Sequence, residues 1–341
     1  MEDLPVIDVA PLVAAVASHE VTSDEATVAT EIDRACRDRG FFLVTGHGIA
    51  PTVFDDLDSA ARAFFALDDA EKAEIAMATG GRAWRGWFPL GGELTSGHPD
   101  HKEGLYLGVD LPADDPRVVA GLPLHGPNRY PGRPASLRPA IEAWLAATTA
   151  LGHALVRGLG LALGLGPTWF DDHLTTDPTV LARIFRYPAD RDPDRAWGVA
   201  EHTDYGLVTI LAHDGRPGLE VRTGRDWLRV PHVPGALVVN LGDMVEAMTG
   251  GRYRSTPHRV TRPSHDGRDR LSFPVFFDPA WSAHIAPLPL DHLRVPTPEQ
   301  GRRWDGTPVE GWEGVYGDYL TAKVARVFPS LFDAVVDGPD E

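Results

Sequence analysis

The sequence is poor in cysteine and in basic residues, and it contains no long apolar run. A single cysteine, Cys36, among 341 residues excludes an internal disulfide and favours a reducing compartment. The 32 lysine and arginine residues against 49 acidic residues give a formal net charge of -17. Because proteins that bind nucleic acid or anionic membranes usually present basic patches, the expected partner is a small molecule, with no nucleic acid and no membrane.

The amino terminus lacks a basic segment followed by an apolar stretch, and no run is expected to reach the length of a membrane span. We therefore expect a cytoplasmic protein and a monomer. The chain is long enough to bury a substantial core, and we expect one compact unit.

Apolar periodicity and turn residues predict a helical first half and a second half made mostly of strands. The predicted helices span 24–38, 52–66, 68–78, 135–165 and 315–328. The predicted strands span 4–12, 41–48, 180–187, 199–212, 219–222, 227–230, 236–240, 259–260 and 271–277. Many short strands at regular spacing are typical of a double-sheet jelly roll. The expected fold class is mainly β with flanking helices: a double-stranded β-helix core, a helical N-terminal region and a C-terminal helix.

Residues 79–104 combine glycine, proline, tryptophan and charge, which is typical of a functional lid-like loop. Trp87 and Phe88 are candidate substrate contacts in this loop. Its cations, such as Arg85 and Lys102, could meet an anionic substrate. The alternatives are aromatic side chains that pack in the core and cations that lie in solvent.

The segment His202-Thr203-Asp204 lies in the predicted strand 199–212. Strand side chains alternate with a period of two, so an imidazole and a carboxylate should project from one face. A second histidine from a distant strand would complete the 2-His-1-carboxylate triad of non-haem Fe(II) oxygenases, and His258 is the candidate. A strand histidine is more often a hydrogen-bonded core residue, so the order of all the motifs carries the inference.

A second set of polar residues is suited to a carboxylate. Arg270 and Ser272 share a strand face, and a planar guanidinium with a nearby hydroxyl matches a carboxylate. Tyr187 and Arg183 share a face of another strand, where the phenol could complete that pocket and Arg183 could bind a substrate carboxylate. Phe276, on the face of Arg270, is a candidate apolar wall.

Other polar residues near these motifs are expected to serve the backbone or the surface. The histidines so assigned are His47, His213, His232 and His265. Asn240 and Asp243 are expected to shape a turn through hydrogen bonds to the backbone. Arg268 is expected to face solvent, and Arg259 to point away from His258.

These motifs together resemble the isopenicillin N synthase-like branch of the Fe(II)/2-oxoglutarate-dependent oxygenases. The likeness rests on the metal and carboxylate motifs above, on Tyr187-Pro188, and on VNLGD at 239–243. It extends to PVID at 5–8 and GFFLVTGHG at 40–48. Phe185 departs from the pattern, since plant members often have asparagine there.

The resemblance implies a dioxygenase that uses Fe(II), 2-oxoglutarate and O2 to hydroxylate, desaturate or cyclise a small molecule, with succinate and CO2 as co-products. It implies His202, Asp204 and His258 as catalytic iron ligands. It also implies Arg270 and Ser272, with Tyr187 as a helper, as contacts of the co-substrate. Two alternatives remain: a same-fold Fe(II) oxidase that does not use 2-oxoglutarate, and a non-catalytic metal- or 2-oxoglutarate-binding sensor. The prime substrate stays open.

The resemblance also implies four regions. They are an N-terminal α/β region over 1–134 with the lid-like loop 79–104, a buttressing helical segment over 135–177, a jelly-roll catalytic core over 178–290, and a C-terminal extension with a helix over 291–341.

Overall fold

The computed structural model describes residues 4–15, 18–95, 98–189, 197–261, 267–290, 309 and 311–328. The α-helices within these residues are α1 (Ala10–Ala14), α2 (Ser23–Asp38), α3 (Pro51–Phe65), α4 (Asp69–Ala73), α5 (Pro116–Val119), α6 (Leu137–Ala162), α7 (Trp169–His173), α8 (Asp243–Met248) and α9 (Tyr316–Val327). The strands are β1 (Val6–Asp8), β2 (Phe41–Thr45), β3 (Gly86–Phe88), β4 (Leu94–Thr95), β5 (His98–Pro99), β6 (Glu103–Gly108), β7 (Thr179–Tyr187), β8 (Trp197–His202), β9 (Val208–His213), β10 (Leu219–Thr223), β11 (Asp226–Arg229), β12 (Leu237–Leu241), β13 (His258–Thr261), β14 (Arg270–Asp278), β15 (His284–Ile285) and β16 (Gly314–Val315).

The described strands form a large mixed sheet and a smaller sheet. The large sheet has eight strands in the order β1-β2-β12-β9-β14-β7-β6-β3, and the small one has four in the order β11-β10-β13-β8. Strands β4 and β5, and β15 and β16, form separate pairs. The small sheet carries the two histidines and the large sheet carries Arg270, so one cavity between them is lined from both sides.

Strand β14 shows how alternation separates the cavity from the core. Its even-numbered residues, from Arg270 to Asp278, line the cavity. Its odd-numbered residues, such as Phe273 and Phe277, are buried on the other face. Phe277 packs there against Gly152 of α6, where a Cβ would lie 2.3 Å from the ring. Helix α6 therefore packs against the face of the sheet opposite the cavity, as expected for the buttressing segment 135–177.

Helix α6 also corrects one expectation. By length and composition this 26-residue helix is apolar enough to cross a membrane, although no run was expected to reach that length. Core helices of soluble proteins have the same composition, and 56% of the most apolar window of α6 is buried inside the fold. Helix α6 is connected to α2 by a buried ion pair between Arg157 Nε and Glu25 Oε1 at 2.7 Å.

The predicted helices and most predicted strands are confirmed, with four local differences. Residues 10–12, predicted as strand, belong to α1, since Pro11 is well tolerated in a first helical turn. Helix α4 ends at Ala73 and a 3₁₀ turn follows. The predicted strand 199–212 is two strands, β8 and β9, with a turn between them.

Residues 79–104 are the fourth difference, because much of this predicted loop is strand. Strand β3 pairs with β6 and forms an edge of the large sheet. A short hairpin of β4 and β5 follows β3 in the chain, and Glu93 to Thr95 line the cavity. A role as a lid stays a prediction.

Candidate metal centre and co-substrate pocket

The two predicted histidine ligands meet through strand register. His202 ends β8 and His258 begins β13, and these antiparallel strands pair the two residues directly. Their ring centroids lie 4.3 Å apart. Among the described residues, His202, Asp204 and His258 form a group whose ligand atoms all lie within 4.8 Å of one another. The structure thus brings together the three residues that the sequence selected.

Backbone carbonyls orient both rings. His202 Nδ1 lies 2.8 Å from the carbonyl oxygen of Ala200, and His258 Nδ1 lies 3.2 Å from that of Thr256. A carbonyl oxygen can only accept, so each Nδ1 carries the proton and each Nε2 keeps its lone pair. A second ring hydrogen bond of this kind is what metal-binding histidines commonly have. The donor set therefore fits a metal bound through Nε2.

Asp204 reaches the histidines by a different route from the predicted one. It lies in the turn after β8, so strand alternation does not aim it. Instead its Oδ2 accepts hydrogen bonds from Thr209 Oγ1 at 2.5 Å and Asn240 Nδ2 at 2.7 Å. Its Oδ1 lies 3.8 Å from His258 Nε2. One carboxylate oxygen is fixed by the protein, and the other faces the histidines.

Burial and mutual charge set the protonation of this group. Burial, with the neighbouring His258, lowers the pKa of His202 to about 3. Burial alone would raise the pKa of Asp204, but the two histidines and the hydrogen bonds from Asn240 and Thr209 lower it below its ordinary value. The group therefore presents a neutral imidazole at His202 and a carboxylate at Asp204, which are the forms that bind a divalent cation.

Arg270, Ser272 and Tyr187 lie together on the large sheet, as predicted. Arg270 and Tyr187 are a cross-strand pair of β14 and β7, with the guanidinium carbon 5.0 Å from the ring centroid. The hydroxyls of Ser272 and Tyr187 are 3.5 Å apart. Arg270 is 1% exposed, donates from Nε to the carbonyl of Arg216, and has a buried Nη1 with no partner. A buried guanidinium with one unsatisfied nitrogen beside two hydroxyls fits a carboxylate ligand.

Two of the predicted substrate contacts line the cavity and two lie behind it. Arg183 and Phe276 line it, with the guanidinium carbon 4.6 Å from the Phe276 ring centroid. Trp87 is buried elsewhere, and its indole N–H donates to Glu103 at 2.8 Å. Phe88 packs on the ring of Tyr106 at 5.4 Å, one layer outside the lining residues. Both aromatic side chains therefore pack in the core, which was the alternative prediction.

Lys102 also lines the cavity. It does not lie in solvent but is buried beside two carboxylates. Its Nζ lies 2.6 Å from Asp100 and 2.9 Å from Glu93, and 4.5 Å from the ring centroid of Phe185. Burial alone would lower the pKa of Lys102, but Glu93 and Asp100 raise it above its ordinary value. Lys102 therefore stays charged, with its charge committed to these carboxylates.

Helix α9 closes one side of the cavity through two tyrosine contacts. Tyr316 donates to Asp278 Oδ2 at 2.6 Å, and Tyr319 donates to Asp243 Oδ2 at 2.7 Å. Asp278 also accepts from the backbone N–H of Leu207 at 3.2 Å, in the turn that carries Asp204. Burial raises the pKa of Asp278 to about 7. Through Asp278, helix α9 is thereby connected to the turn that carries Asp204.

The remaining polar assignments have mixed outcomes. Asn240 was expected to form hydrogen bonds with the backbone. That prediction is wrong, because its side chain donates a hydrogen bond to the carboxylate of Asp204. Arg259 points away from His258, bonding Glu220 at 2.8 Å, and Arg268 is exposed, as predicted. His47 bonds the carbonyl of Gly235 at 3.0 Å. The other three histidines assigned to the surface or to turns are His213, His232 and His265. The rings of His213 and His232 face each other with their centroids 5.3 Å apart, and His265 lies outside the described residues.

Sequence reasoning missed three residues of this site: Asn240, Thr209 and Asp278. Asn240 is the polar member of the apolar strand β12, and a buried amide needs a partner. Asp278 shares the even-numbered face of β14 with Arg270. Both signals are present in the sequence.

Comparisons with known proteins agree with this geometry. Residues 4–133 match the model of the family described as non-haem dioxygenase in morphine synthesis N-terminal, and residues 177–279 match that of the 2OG-Fe(II) oxygenase superfamily. A probable iron/ascorbate oxidoreductase of Dictyostelium discoideum is 38% identical, with 98% of each chain covered. A homoarginine-6-hydroxylase of Arabidopsis thaliana is 32% identical over 97% of this chain and 90% of the relative.

The fold is shared with solved structures. A full-length protein of Neurospora crassa, crystallised in complex with alpha-KG, superposes with a TM-score of 0.76 at 22% identity, and 95% of this chain and 96% of that chain are covered. The chain therefore belongs to the 2OG-Fe(II) oxygenase superfamily and is an oxidoreductase that uses Fe(II), 2-oxoglutarate and O2.

Proposed function

We propose that His202, Asp204 and His258 hold the Fe(II), and that Arg270 and Ser272, with Tyr187, bind the distal carboxylate of 2-oxoglutarate. The observation that carries this proposal is the pairing of a compact two-histidine, one-carboxylate group with a buried guanidinium whose Nη1 has no partner, in one cavity. A triad of this type leaves coordination positions open for co-substrate and O2.

When bound, the iron supplies the redox centre at which O2 oxidises 2-oxoglutarate to succinate and CO2 and a substrate C–H bond is attacked. The chain supplies geometry and a dry pocket. The carbonyls of Ala200 and Thr256 fix the imidazole tautomers, while Asn240 and Thr209 fix the carboxylate. Apolar residues of α9 exclude water from one side.

Succinate formation tests the metal assignment. Wild-type protein with Fe(II), 2-oxoglutarate and O2 is expected to form succinate, and His202→Ala and Asp204→Ala to lose this turnover. His19→Ala and Asp114→Ala, at exposed positions, are matched controls that should retain it. Full turnover in either ligand variant would overturn the assignment. Absence of O2 consumption by the wild type with every substrate offered would instead favour the sensor.

Arg270→Met tests the co-substrate pocket. Loss of one partner of a buried ion pair should weaken 2-oxoglutarate binding by roughly 2–5 kcal/mol, and each 1.4 kcal/mol is about tenfold in affinity. The affinity for Mn(II) should change little, because Arg270 touches neither histidine nor Asp204 in the structure. An unchanged affinity for 2-oxoglutarate would remove Arg270 from the pocket.

We also propose an isopenicillin N synthase-like enzyme that works in the cytoplasm as a monomer, without nucleic acid or membrane partners. The net charge of -17 supports the absence of nucleic acid and membrane partners, and the single, buried Cys36 supports the cytoplasm. Light scattering of the purified protein tests the monomer, and a dimer mass would contradict it. Fractionation of the producing cells tests the location, and recovery with membranes would contradict it.

A further inference from the structure

A second arginine of the cavity has the features of a ligand-binding group. Arg183 projects from β7 into the cavity, and its guanidinium carbon lies 4.1 Å from the ring centroid of Tyr106 and 4.6 Å from that of Phe276. Its Nε is buried and has no hydrogen-bond partner. In the described part of the chain no carboxylate forms an ion pair with it. Arg183 as a whole is half-buried and has Glu93 as a nearby carboxylate, but its unpartnered Nε leaves part of the guanidinium able to bind an anion from outside the chain.

The neighbouring charges do not satisfy Arg183. The carboxylate of Glu93 acts on Arg183, but it lies 2.9 Å from Lys102 Nζ and also accepts a hydrogen bond from the hydroxyl of Tyr106. Arg85 adds a second cation nearby, and within the described residues its hydrogen bonds go to backbone carbonyls, at 3.1 Å to Ala83 and 2.8 Å to Leu124. Burial and the nearby Arg183 lower the pKa of Arg85 to about 10. Arg183 therefore shares Glu93 with Lys102 and with the hydroxyl of Tyr106.

Arg183 leaves the sheet at a different point from Arg270. Arg270 pairs across the strands with Tyr187, and Arg183 lies four residues before Tyr187 on the same strand face. Four residues of strand span roughly 13 Å at about 3.3 Å per residue. The two arginines thus enter one cavity from separate points of the sheet, and with the co-substrate carboxylate at Arg270, Arg183 is left for another molecule.

Part of the wall of this cavity is apolar. Leu181 and Phe276 come from the large sheet, and Leu320, Val324 and Val327 come from α9. A ligand held at Arg183 by a planar, two-point contact would lay its remaining atoms against these side chains.

We propose that the prime substrate is a small carboxylic acid with an apolar body, whose carboxylate binds Arg183 while its body lies between Phe276 and α9. This inference rests on the proposed function, since it assigns the substrate side of the same site. Arg183 acts by binding, and it fixes which C–H bond faces His202, Asp204 and His258.

The test is ligand binding to the anaerobic complex of the full chain with Mn(II) and saturating 2-oxoglutarate. The probes are straight-chain and aromatic monocarboxylic acids and 2-amino acids, each paired with its primary amide. Thermal stabilisation gives an apparent affinity for each probe. Acids should stabilise the wild type, and their amides should bind at least about tenfold more weakly, because an amide forfeits the charge-assisted bonds to the guanidinium.

Three variants complete the design. Arg183→Met should lose at least about tenfold in affinity for the acids and keep the wild-type affinity for 2-oxoglutarate. Arg270→Met should show the opposite split. Arg138→Gln, whose exposed side chain pairs with Glu142 on α6, should match the wild type in both. Thermal melting of each unliganded variant checks that it folds. If Arg183→Met does not fold, Arg183→Lys replaces it, because lysine keeps the charge but loses the planar two-point contact.

Several outcomes would overturn the inference: acids and amides that bind equally, wild-type acid affinity in Arg183→Met, no binding by any acid, or loss of 2-oxoglutarate affinity in Arg183→Met. Failure of the proposed function is a separate result, since it would appear as a wild type that does not bind Mn(II) or 2-oxoglutarate at all.

Discussion

Replacing Asn240 by leucine should weaken metal binding without removing any proposed ligand. Asn240 is 2% exposed, and its Nδ2 donates to Asp204 Oδ2 at 2.7 Å. Leucine has a similar volume but no donor, so Asp204 would keep only the hydrogen bond from Thr209. Loss of one group that orients a ligand typically costs 10- to 100-fold in metal affinity, or about 1.4–2.7 kcal/mol.

The assay is anaerobic titration with Mn(II), in which free Mn(II) is followed by electron paramagnetic resonance. Thr209→Val removes the other donor to the same oxygen and should have a similar effect. Because both donors hold one carboxylate, the double variant should lose less than the product of the two single losses. Thr148→Val is the matched control, since the hydroxyl of Thr148 bonds only to α6 backbone carbonyls, at 2.7 Å to Trp144. Wild-type affinity in Asn240→Leu would refute the proposed role of this hydrogen bond.

Three other perturbations test the turn that carries Asp204 and the contacts of α9. Gly206→Ala would place a Cβ 1.5 Å from Asp278 Oδ1, so Mn(II) affinity should fall at least tenfold; an unchanged affinity would contradict a rigid turn. Folded Asp278, with a pKa of about 7, keeps a proton that the unfolded chain releases near pH 4. Wild-type apoprotein should therefore lose stability relative to Asp278→Asn as pH rises from about 4 to 7, and parallel urea-unfolding profiles would contradict this. Tyr319→Phe leaves Asp243 without its hydroxyl donor and should lower the free energy of unfolding by about 1–3 kcal/mol, whereas an unchanged urea midpoint would remove the contact from the fold.

The sequence predicted those parts of the site that depend on local geometry. Strand alternation is a property of a few consecutive residues, and it correctly grouped Arg270 with Ser272 and Phe276, and Arg183 with Tyr187. The pairing of His202 with His258 depends on the register of β8 and β13, which no local pattern contains. The order of the motifs along the chain nevertheless selected the two histidines that the structure brings together.

The errors arose where tertiary contacts decide the conformation. Strand β8 ends at His202, so Asp204 is aimed by Asn240 and Thr209, which come from β12 and β9. Trp87 belongs to a short edge strand whose partner, β6, was not predicted, so its role as a packed side chain could not be deduced from a glycine-rich segment. Much of the predicted C-terminal extension, 291–341, lies outside the described residues.

The central claim is tested most directly by a crystal structure of the full chain prepared without oxygen in the presence of Mn(II) and 2-oxoglutarate. We expect one metal bound by Nε2 of His202, Nε2 of His258 and a carboxylate oxygen of Asp204, with the distal carboxylate of 2-oxoglutarate on Arg270. A metal elsewhere, a histidine bound through Nδ1, or a 2-oxoglutarate whose distal carboxylate lies on Arg183 would contradict the account.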